Sequence, residues 1–330
     1  MTATGARADR PGDGDDRTAT TTGGTATSGT GSPVDPAADP APVEATPGRG
    51  RLVVRRFLRH KLGLLGLVVF VGLFALAYLG PLLSPWSVTD QDFTSLLSPP
   101  SPEHWFGTTE IGEDVFVRTM LGLQKSLLIG LLVGVISTVL ATLVGATAAY
   151  FGGWTDRILM WVVDLLLVLP ALLVIAILSP AIEGMTWLIL VVLLAGFSWM
   201  IAARLVRGMT LSLREREFVQ AARFAGVPAW KIILKHIVPN MASLLIIDAT
   251  VNVGQAVLAE TGLSYLGFGV QPPDVSLGTL ISEGTRSALI FPWLFLFAGG
   301  LLVVTVLSVN LIGDGLRDAL DPQGRRGGAE

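Results

Sequence analysis

Long hydrophobic runs with very few charged residues alternate with more polar segments between residues 62 and 312. A helix needs about 20 apolar residues to cross the hydrocarbon layer of a bilayer, which is roughly 30 Å thick. Because only helices and closed barrels satisfy their backbone inside lipid, the runs predict an all-α membrane protein with about six transmembrane helices. The predicted spans are Leu62–Leu83, Leu127–Tyr150, Ile158–Leu178, Trp187–Ala203, Leu244–Leu258 and Phe291–Ile312.

Two spans contain features that change this simple picture. Pro170 lies inside the third span, where it removes an amide donor and should kink the helix or end it early. The first span also admits a signal-peptide interpretation, because Ala75-Leu76-Ala77 resembles a cleavage site. The segment before it is about 60 residues long and the apolar run continues past the alanines. We therefore predict an uncleaved first span.

The ends of the chain differ from the hydrophobic part. Residues 1–50 are rich in Thr, Gly, Ala, Pro and Asp and have no apolar periodicity, so we expect a disordered tail. A transmembrane domain is expected over residues 51–318, followed by a second tail over residues 319–330.

The distribution of charge predicts the orientation in the membrane. Five Lys and Arg residues and no acid lie between residue 51 and the first span. The loop Ser84–Thr119 carries six acidic residues against Arg118 alone, whereas Arg204–Asn240 carries seven Lys and Arg against two Glu. Lys and Arg are retained on the cytoplasmic side. Both termini and Arg204–Asn240 are therefore predicted to be cytoplasmic, and Ser84–Thr119 to lie outside.

Composition agrees with a membrane protein and narrows its chemistry. Hydrophobic residues make up 51% of the 330 and charged residues only 15%, compared with about 25% charged in soluble domains. The net charge of −3 does not indicate nucleic-acid binding. Without cysteine, and with three dispersed histidines, neither a disulfide nor a metal site is predicted. No Gly-x4-Gly-Lys-[Ser/Thr] run occurs, so we expect no cofactor and no enzymatic activity, and energy must come from a partner or an ion gradient.

The segment Arg204–Asn240 has the pattern of two helices joined by a sharp turn. Apolar residues at spacings of three and four indicate a first helix that ends at Gly226, where a positive φ is tolerated. Pro228 suits the first turn of a second helix, and Pro239 is expected to close it. Such a compact cytoplasmic knob suits insertion into a groove on a partner.

These residues resemble the permease subunits of ATP-binding-cassette (ABC) importers, whose hallmark is a Glu-Ala-Ala loop followed by a glycine and later by a proline. Gln220-Ala221-Ala222 stands for Glu-Ala-Ala, with Gly226 and Pro239 as the glycine and proline, and Gln220 departs from the family glutamate. The resemblance implies that these five residues dock onto an ATPase subunit and transmit its closure. The alternative is a basic loop kept positive for topology alone, which requires no such spacing.

Other segments resemble the dipeptide and oligopeptide importer permeases, a subfamily that also transports nickel. His104–Asp114 is similar to the pattern Gly-Thr-Asp-x-x-Gly-Arg-Asp, with Glu113 in place of a basic residue, and Trp199–Arg207 and Ala259–Pro273 are similar to the same subfamily. The resemblance extends over roughly Arg51–Asp318. It implies a C-type permease with the type I ABC importer fold in the bacterial cell membrane. The implied partners are a homologous permease, one or two ATPases and an extracytoplasmic binding protein.

Polar residues in the fifth span form a candidate translocation path. Asp248, Asn252 and Gln255 are spaced at i, i+4 and i+7 and share one helix face. Exposing such groups to lipid would cost several kcal/mol, so this face should meet protein or water. Two interpretations remain open: a polar wall of the path, or interhelical hydrogen bonds worth about 0.6–2 kcal/mol per pair.

The function predicted from the sequence is a permease that forms half of a path for di- and oligopeptides and is coupled to a separate ATPase. The neutral amides of Asn252 and Gln255 suit a peptide backbone, and selective transition-metal binding requires a cluster of His, Cys or carboxylate groups that the sequence does not offer. An ABC importer of nickel or another small solute is the main alternative. A secondary transporter, which often has inverted repeats, and a membrane scaffold are the others.

Overall fold

A computed structural model describes residues 49–179 and 187–320, so most of the two predicted tails lies outside the described residues. Within those ranges the chain is helical and contains no β-strand. Two short helices were not predicted. Helix α1 precedes the first span, and helix α11 follows the fifth span. The helices are α1 Arg49–Phe57, α2 Lys61–Leu83, α3 Val115–Phe151, α4 Gly153–Val168, α5 Ala171–Leu178, α6 Trp187–Ser198, α7 Met200–Arg214, α8 Glu217–Phe224, α9 Ala229–Ile232, α10 Val238–Tyr265, α11 Leu277–Thr285 and α12 Trp293–Leu320.

Six membrane crossings fit these helices. Four continuous helices are long and apolar enough to span a bilayer: Lys61–Leu83, Val115–Phe151, Ala229–Tyr265 and Trp293–Leu320. The pair α4–α5 bends by 76° and the pair α6–α7 by 46°, and each pair passes the same test when taken together. The described helices thus provide four to six spans, and the predicted number of about six is reached when each bent pair crosses once.

The bend in the third span confirms the prediction made from Pro170. Helix α4 ends at Val168, and Leu169 and Pro170 adopt extended backbone angles before α5 begins at Ala171. A proline disfavours helical angles in the residue before it and has no amide to donate. The break therefore lies where the ring makes a continuous helix unfavourable.

Helix α3 lies at the centre of the bundle and packs against α10 and α7. Gly130 allows a close approach to α10, since a Cβ at this position would lie 2.5 Å from the side chain of Val257. Small residues at helix interfaces let backbones come together inside a membrane, where lipid provides no hydrophobic driving force between helices. This contact fixes the position of α10, which carries the candidate polar face.

The predicted cytoplasmic ends of the first and last spans contact each other through His60 and Asp318. The imidazole of His60 accepts a hydrogen bond from the Gly63 amide through Nδ1, 2.9 Å away, and so caps α2. Its Nε2 lies 3.0 Å from the carboxylate of Asp318 near the end of α12. The beginning of the first span and the end of the last therefore lie on the same side of the bundle, as an even number of crossings requires.

The loop before α3 is ordered by the residues that gave it its resemblance to peptide permeases. Gly107 and Gly112 adopt φ values of +80° and +79°, and Asp114 caps α3 by accepting from the Val117 amide at 2.9 Å. His104 is buried, with its Nδ1 2.9 Å and its Nε2 3.4 Å from the carboxylates of Asp114 and Asp92. The pattern in this loop is therefore accounted for by turns, a helix cap and a buried histidine between two carboxylates.

Candidate functional site

The turn in the predicted cytoplasmic segment is a Schellman motif. We name residues 215–228, which include α8, the α8 segment. The Gly226 amide donates to the Arg223 carbonyl at 3.0 Å, and the Val227 amide donates to the Ala222 carbonyl at 3.1 Å. Gly226 has a φ of +74°, as predicted, and no atom lies within 4 Å of where its Cβ would be. Glycine is therefore required here by backbone conformation rather than by lack of space.

The apolar side of the α8 segment packs on the ends of three long helices. Val219 is buried in a cluster with Ala146 of α3, Val206 of α7 and Met241 of α10. Ala222, one of the predicted docking residues, is half-buried against this cluster, whereas Ala221 is exposed. The segment is thus held firmly against the bundle while its other side faces outward.

Gln220 connects the α8 segment to the preceding helix. Its Nε2 donates to the carbonyl of Arg214, the last residue of α7, at 3.0 Å. The Arg214 guanidinium in turn donates to the Ala149 carbonyl in the last turn of α3, at 2.7 Å. A glutamate at position 220 would be ionised near neutral pH and would have no proton to donate to that carbonyl. The departure from the family residue is consistent with this contact, although the sequence alone gave no indication of it.

The prediction that Pro239 closes a second short helix is wrong. The helix that begins at Ala229 continues as one element to Tyr265. The π-helical turn Ile233–Ile237 precedes the proline, and the Val238 amide donates to the Ile233 carbonyl five residues back. A proline in a regular α-helix loses a hydrogen bond and clashes with the carbonyl four residues before it. The wider π turn allows the helix to pass Pro239 unbroken, so the second helix of the pair is the start of the fifth span.

Two large aromatic side chains flank the turn and face outward. Phe224 is 89% exposed and Trp230 is 63% exposed. We name them the exposed aromatic pair. Neither residue was predicted from the sequence as a contact residue, although two aromatics on either side of Gly226 and Pro228 in a polar segment were a usable signal. Exposed aromatic side chains are enriched at protein interfaces, so the pair marks a surface suited to a partner.

The candidate path residues do not all make the same contacts. Asp248 is half-buried and accepts hydrogen bonds from Thr138 of α3 at 3.3 Å and from Asn252 at 3.0 Å. Gln255 is exposed and makes no side-chain hydrogen bond within the described part of the chain. One face of α10 therefore carries both an interhelical bond, through Asp248, and a free amide, through Gln255.

Comparison with known proteins identifies the family of the chain. Residues 124–326 match the family model described as binding-protein-dependent transport system inner membrane component. The chain belongs to this family. Residues 48–100 also match the model of the N-terminal TM domain of oligopeptide transport permease C. The chain is therefore a multi-pass permease of the bacterial inner membrane, with the type I importer fold.

Curated relatives match this permease over most of its length. The oligopeptide transport system permease protein OppC of Mycobacterium tuberculosis is 58% identical over 278 residues, which cover 84% of this chain and 96% of the relative. A putative peptide permease protein of Brucella suis is 41% identical, covering 85% and 93%. The oligopeptide transport system permease protein OppC of Bacillus subtilis is 36% identical, covering 82% and 88%.

The permease contains a buried carboxyl group that was not predicted from the sequence. Glu260 of α10 is fully buried and accepts hydrogen bonds from Ser264 at 2.6 Å and from Ser126 of α3 at 3.1 Å. Ser126 also accepts from the Leu277 amide at the start of α11, at 3.1 Å. Buried polar groups are usually bonded in this way because an unpaired one is costly. Glu260 therefore joins α3, α10 and α11.

Charged side chains gather at the predicted outer side of the permease. Lys125 of α3 pairs with Asp274 at 2.8 Å and lies 4.7 Å from the ring centre of Trp187, the first residue of α6. Further out, Arg118 lies in the wall of a cavity of about 570 Å³ and pairs with Glu113 and Glu283, each at 3.0 Å. Within residues 49–179 and 187–320, no group of three or more His, Asp or Glu side chains is placed to hold a metal ion.

Proposed function

We propose that this chain is the C-type permease subunit of a binding-protein-dependent ABC importer for di- and oligopeptides. It forms half of the translocation path, and a homologous permease forms the other half. The family membership, the match of residues 48–100 to oligopeptide permease C, and relatives named as oligopeptide permeases support this assignment. ATP is hydrolysed by one or two separate ATPase subunits.

The α8 segment and the adjacent Trp230 dock onto an ATPase subunit, with Ala221, Gly226 and the exposed aromatic pair at the contact. The single observation that carries this proposal is the unbroken helix from Ala229 to Tyr265, which runs from the α8 segment to the polar face. Ala229 and Asp248 are 19 residues apart, or about 28 Å of helix axis. A displacement of the turn at Gly226 is therefore passed along one helix to the fifth span.

Asp248, Asn252 and Gln255 line the path, and Asp248 also serves as the anchor to α3. The exposed amide of Gln255 offers both a donor and an acceptor, as does the amide of Asn252. A peptide presents a carbonyl and an amide at each residue, so neutral amides pair with its backbone irrespective of side chain. This chemistry favours peptides of varied sequence over a metal cation, whose selection requires fixed ligands.

An extracytoplasmic binding protein delivers the peptide to the outer face. The cavity of about 570 Å³ beside Arg118 and Glu283 lies on that face and carries charges of both signs. Complementary charge steers the association of proteins and fixes their register more than it adds affinity. The outer charged surface is therefore a docking site for the binding protein rather than part of the path.

Uptake by a strain that lacks this chain tests the assignment. Labelled di-, tri- and longer peptides are measured alongside labelled nickel, and the wild-type gene is restored as the control. The proposal predicts that uptake of at least one peptide class is lost and then restored, with nickel unaffected. Lost nickel uptake with intact peptide uptake would overturn the substrate assignment.

A second measurement tests the path residues. Gln255→Ala is compared with Thr250→Ala, since Thr250 is partly exposed and lies on a different face of α10. The path proposal predicts a KM for peptide that rises about tenfold in Gln255→Ala, the effect of roughly one lost hydrogen bond, and stays unchanged in Thr250→Ala. Equal KM values for the two variants would contradict the role of Gln255.

A further inference from the structure

A cavity of about 450 Å³ lies beside the α8 segment. It lies where the end of α3 meets the α8 segment, so it opens next to the proposed docking surface. Polar and charged groups dominate the residues on its wall, which is unlike a lipid-facing crevice. The polar and charged residues of the wall are Tyr150, Arg214, Glu215, Gln220 and Arg223.

The charges around this cavity do not cancel. Arg214 is compensated, since its Nε lies 3.0 Å from the carboxylate of Glu215 and its Nη1 donates to a backbone carbonyl. Gln220 is neutral and donates to the Arg214 carbonyl. Arg223 is exposed and has no acidic partner within residues 49–179 and 187–320. The wall therefore carries one uncompensated positive charge, that of Arg223.

The location of the cavity favours a protein partner over lipid. Trp230, beside the cavity wall, precedes Met241 by 11 residues, or about 16 Å of helix axis, and the apolar part of the span begins near Met241. The headgroup layer extends only about 5–8 Å beyond the hydrocarbon. With the hydrocarbon beginning at Met241, the positively charged wall and the exposed aromatic pair lie beyond the headgroups, in water.

We infer that this cavity receives a carboxylate side chain of the ATPase subunit, held by the guanidinium of Arg223. This inference rests on the proposed function, in which the α8 segment docks onto that subunit. A guanidinium offers parallel N–H donors in a fixed plane, which match the two oxygens of a carboxylate. Glu or Asp from the ATPase completes the charge balance of the wall, and the exposed aromatic pair excludes water from the contact.

The test compares two variants that remove the same charge. Arg223→Gln removes the guanidinium at the cavity wall, and Arg216→Gln removes one from the exposed N-terminal end of the same helix, outside the wall. Each variant is purified from membranes of cells that express the whole importer, and the affinity for the ATPase subunit is measured. We expect a loss of about tenfold or more for Arg223→Gln and less than about threefold for Arg216→Gln.

A third variant and a lipid measurement complete the test. Arg223→Lys keeps the charge but loses the planar fork, so its affinity is expected between those of Arg223→Gln and the wild type. Equal losses for Arg223→Gln and Arg216→Gln would overturn the inference while leaving the proposed function intact. The inference would also be overturned if Arg223→Gln bound the ATPase as tightly as the wild type but bound vesicles of anionic lipid more weakly. A wild-type complex that contains no ATPase would overturn both.

Discussion

The side-chain amide of Gln220 donates to the carbonyl of Arg214 at 3.0 Å, across the break between α7 and α8. The last carbonyls of a helix have no partner inside that helix. Gln220 satisfies one of them and so ties the start of the α8 segment to the end of the fourth span. The Arg214 guanidinium in turn donates to the Ala149 carbonyl of α3. The two hydrogen bonds together link the α8 segment to α3.

Replacing Gln220 by Glu should loosen the α8 segment. The carboxylate would face the negative end of α7 with no proton to donate, and the loss should be about 1–2 kcal/mol. Gln220→Ala is the control, since it loses the hydrogen bond without adding a charge. Limited proteolysis of the purified permease should cut the α8 segment faster in Gln220→Glu than in Gln220→Ala. A Gln220→Glu protein as resistant as the wild type would refute this account of the contact.

The positive φ of Gly226 makes a matched pair of glycine substitutions informative. Both Gly226 and Gly208 have open space where a Cβ would lie, but only Gly226 has φ in the left-handed region. We predict that Gly226→Ala weakens ATPase association or coupled hydrolysis through about 1–2 kcal/mol of backbone strain. Gly208→Ala, inside α7, should leave both unchanged or slightly stabilise the protein. Quantitative pull-down of the ATPase from membranes with equal permease content measures the difference, and equal binding by both variants would count against the docking role.

The outer loop should keep its structure from neutral pH down to the ordinary titration range of an aspartate. Hydrogen bonds from the Thr94 hydroxyl and amide hold the pKa of Asp92 well below its usual value. Because the pKa is lowered in the folded loop, ionised Asp92 contributes stability at neutral pH that is lost only as the pH falls below the usual range of an aspartate. Protease resistance of the loop should therefore be constant from pH 7 to about pH 4 and decline below it. Asp92→Asn should be less resistant at pH 7, with a weaker dependence on pH.

The orientation is tested by reporters fused at two points. A fusion after Asp92 should report the outside and a fusion after Arg216 the cytoplasm, because Lys and Arg are concentrated in the second region. The two fusions can be compared in one strain with a reporter that is active on one side only. The same side for both would exclude the topology on which the docking proposal depends.

The features that could be predicted from the sequence depend on local chemistry. Apolar runs specified the six spans, Pro170 specified the break in the third, and Gly226 specified the left-handed turn, because each acts on the backbone within a few residues. The length of the fifth span was underestimated. Pro239 indicated an end to the helix, yet a π turn allows the helix to continue, and this choice depends on tertiary packing.

Contacts between distant residues could not be predicted in this way. Glu260 is satisfied by Ser126, 134 positions away, and Lys125 pairs with Asp274 in a loop beyond the fifth span. Residues so far apart in the sequence belong to no common periodic pattern, so the sequence does not indicate which of them pair. For the same reason the role of Gln220 was visible only once the end of α7 was placed beside it.

We propose that ATP hydrolysed by a partner moves peptides through a path half formed by this chain. The most direct test places the complete importer in proteoliposomes with its binding protein and labelled peptide on one side and ATP on the other. We expect accumulation of peptide against its gradient that requires ATP and survives collapse of the proton gradient. This accumulation should be lost with Gly226→Val although the complex is inserted. Accumulation driven by the proton gradient without ATP, or normal ATP-driven uptake by the inserted Gly226→Val complex, would contradict it.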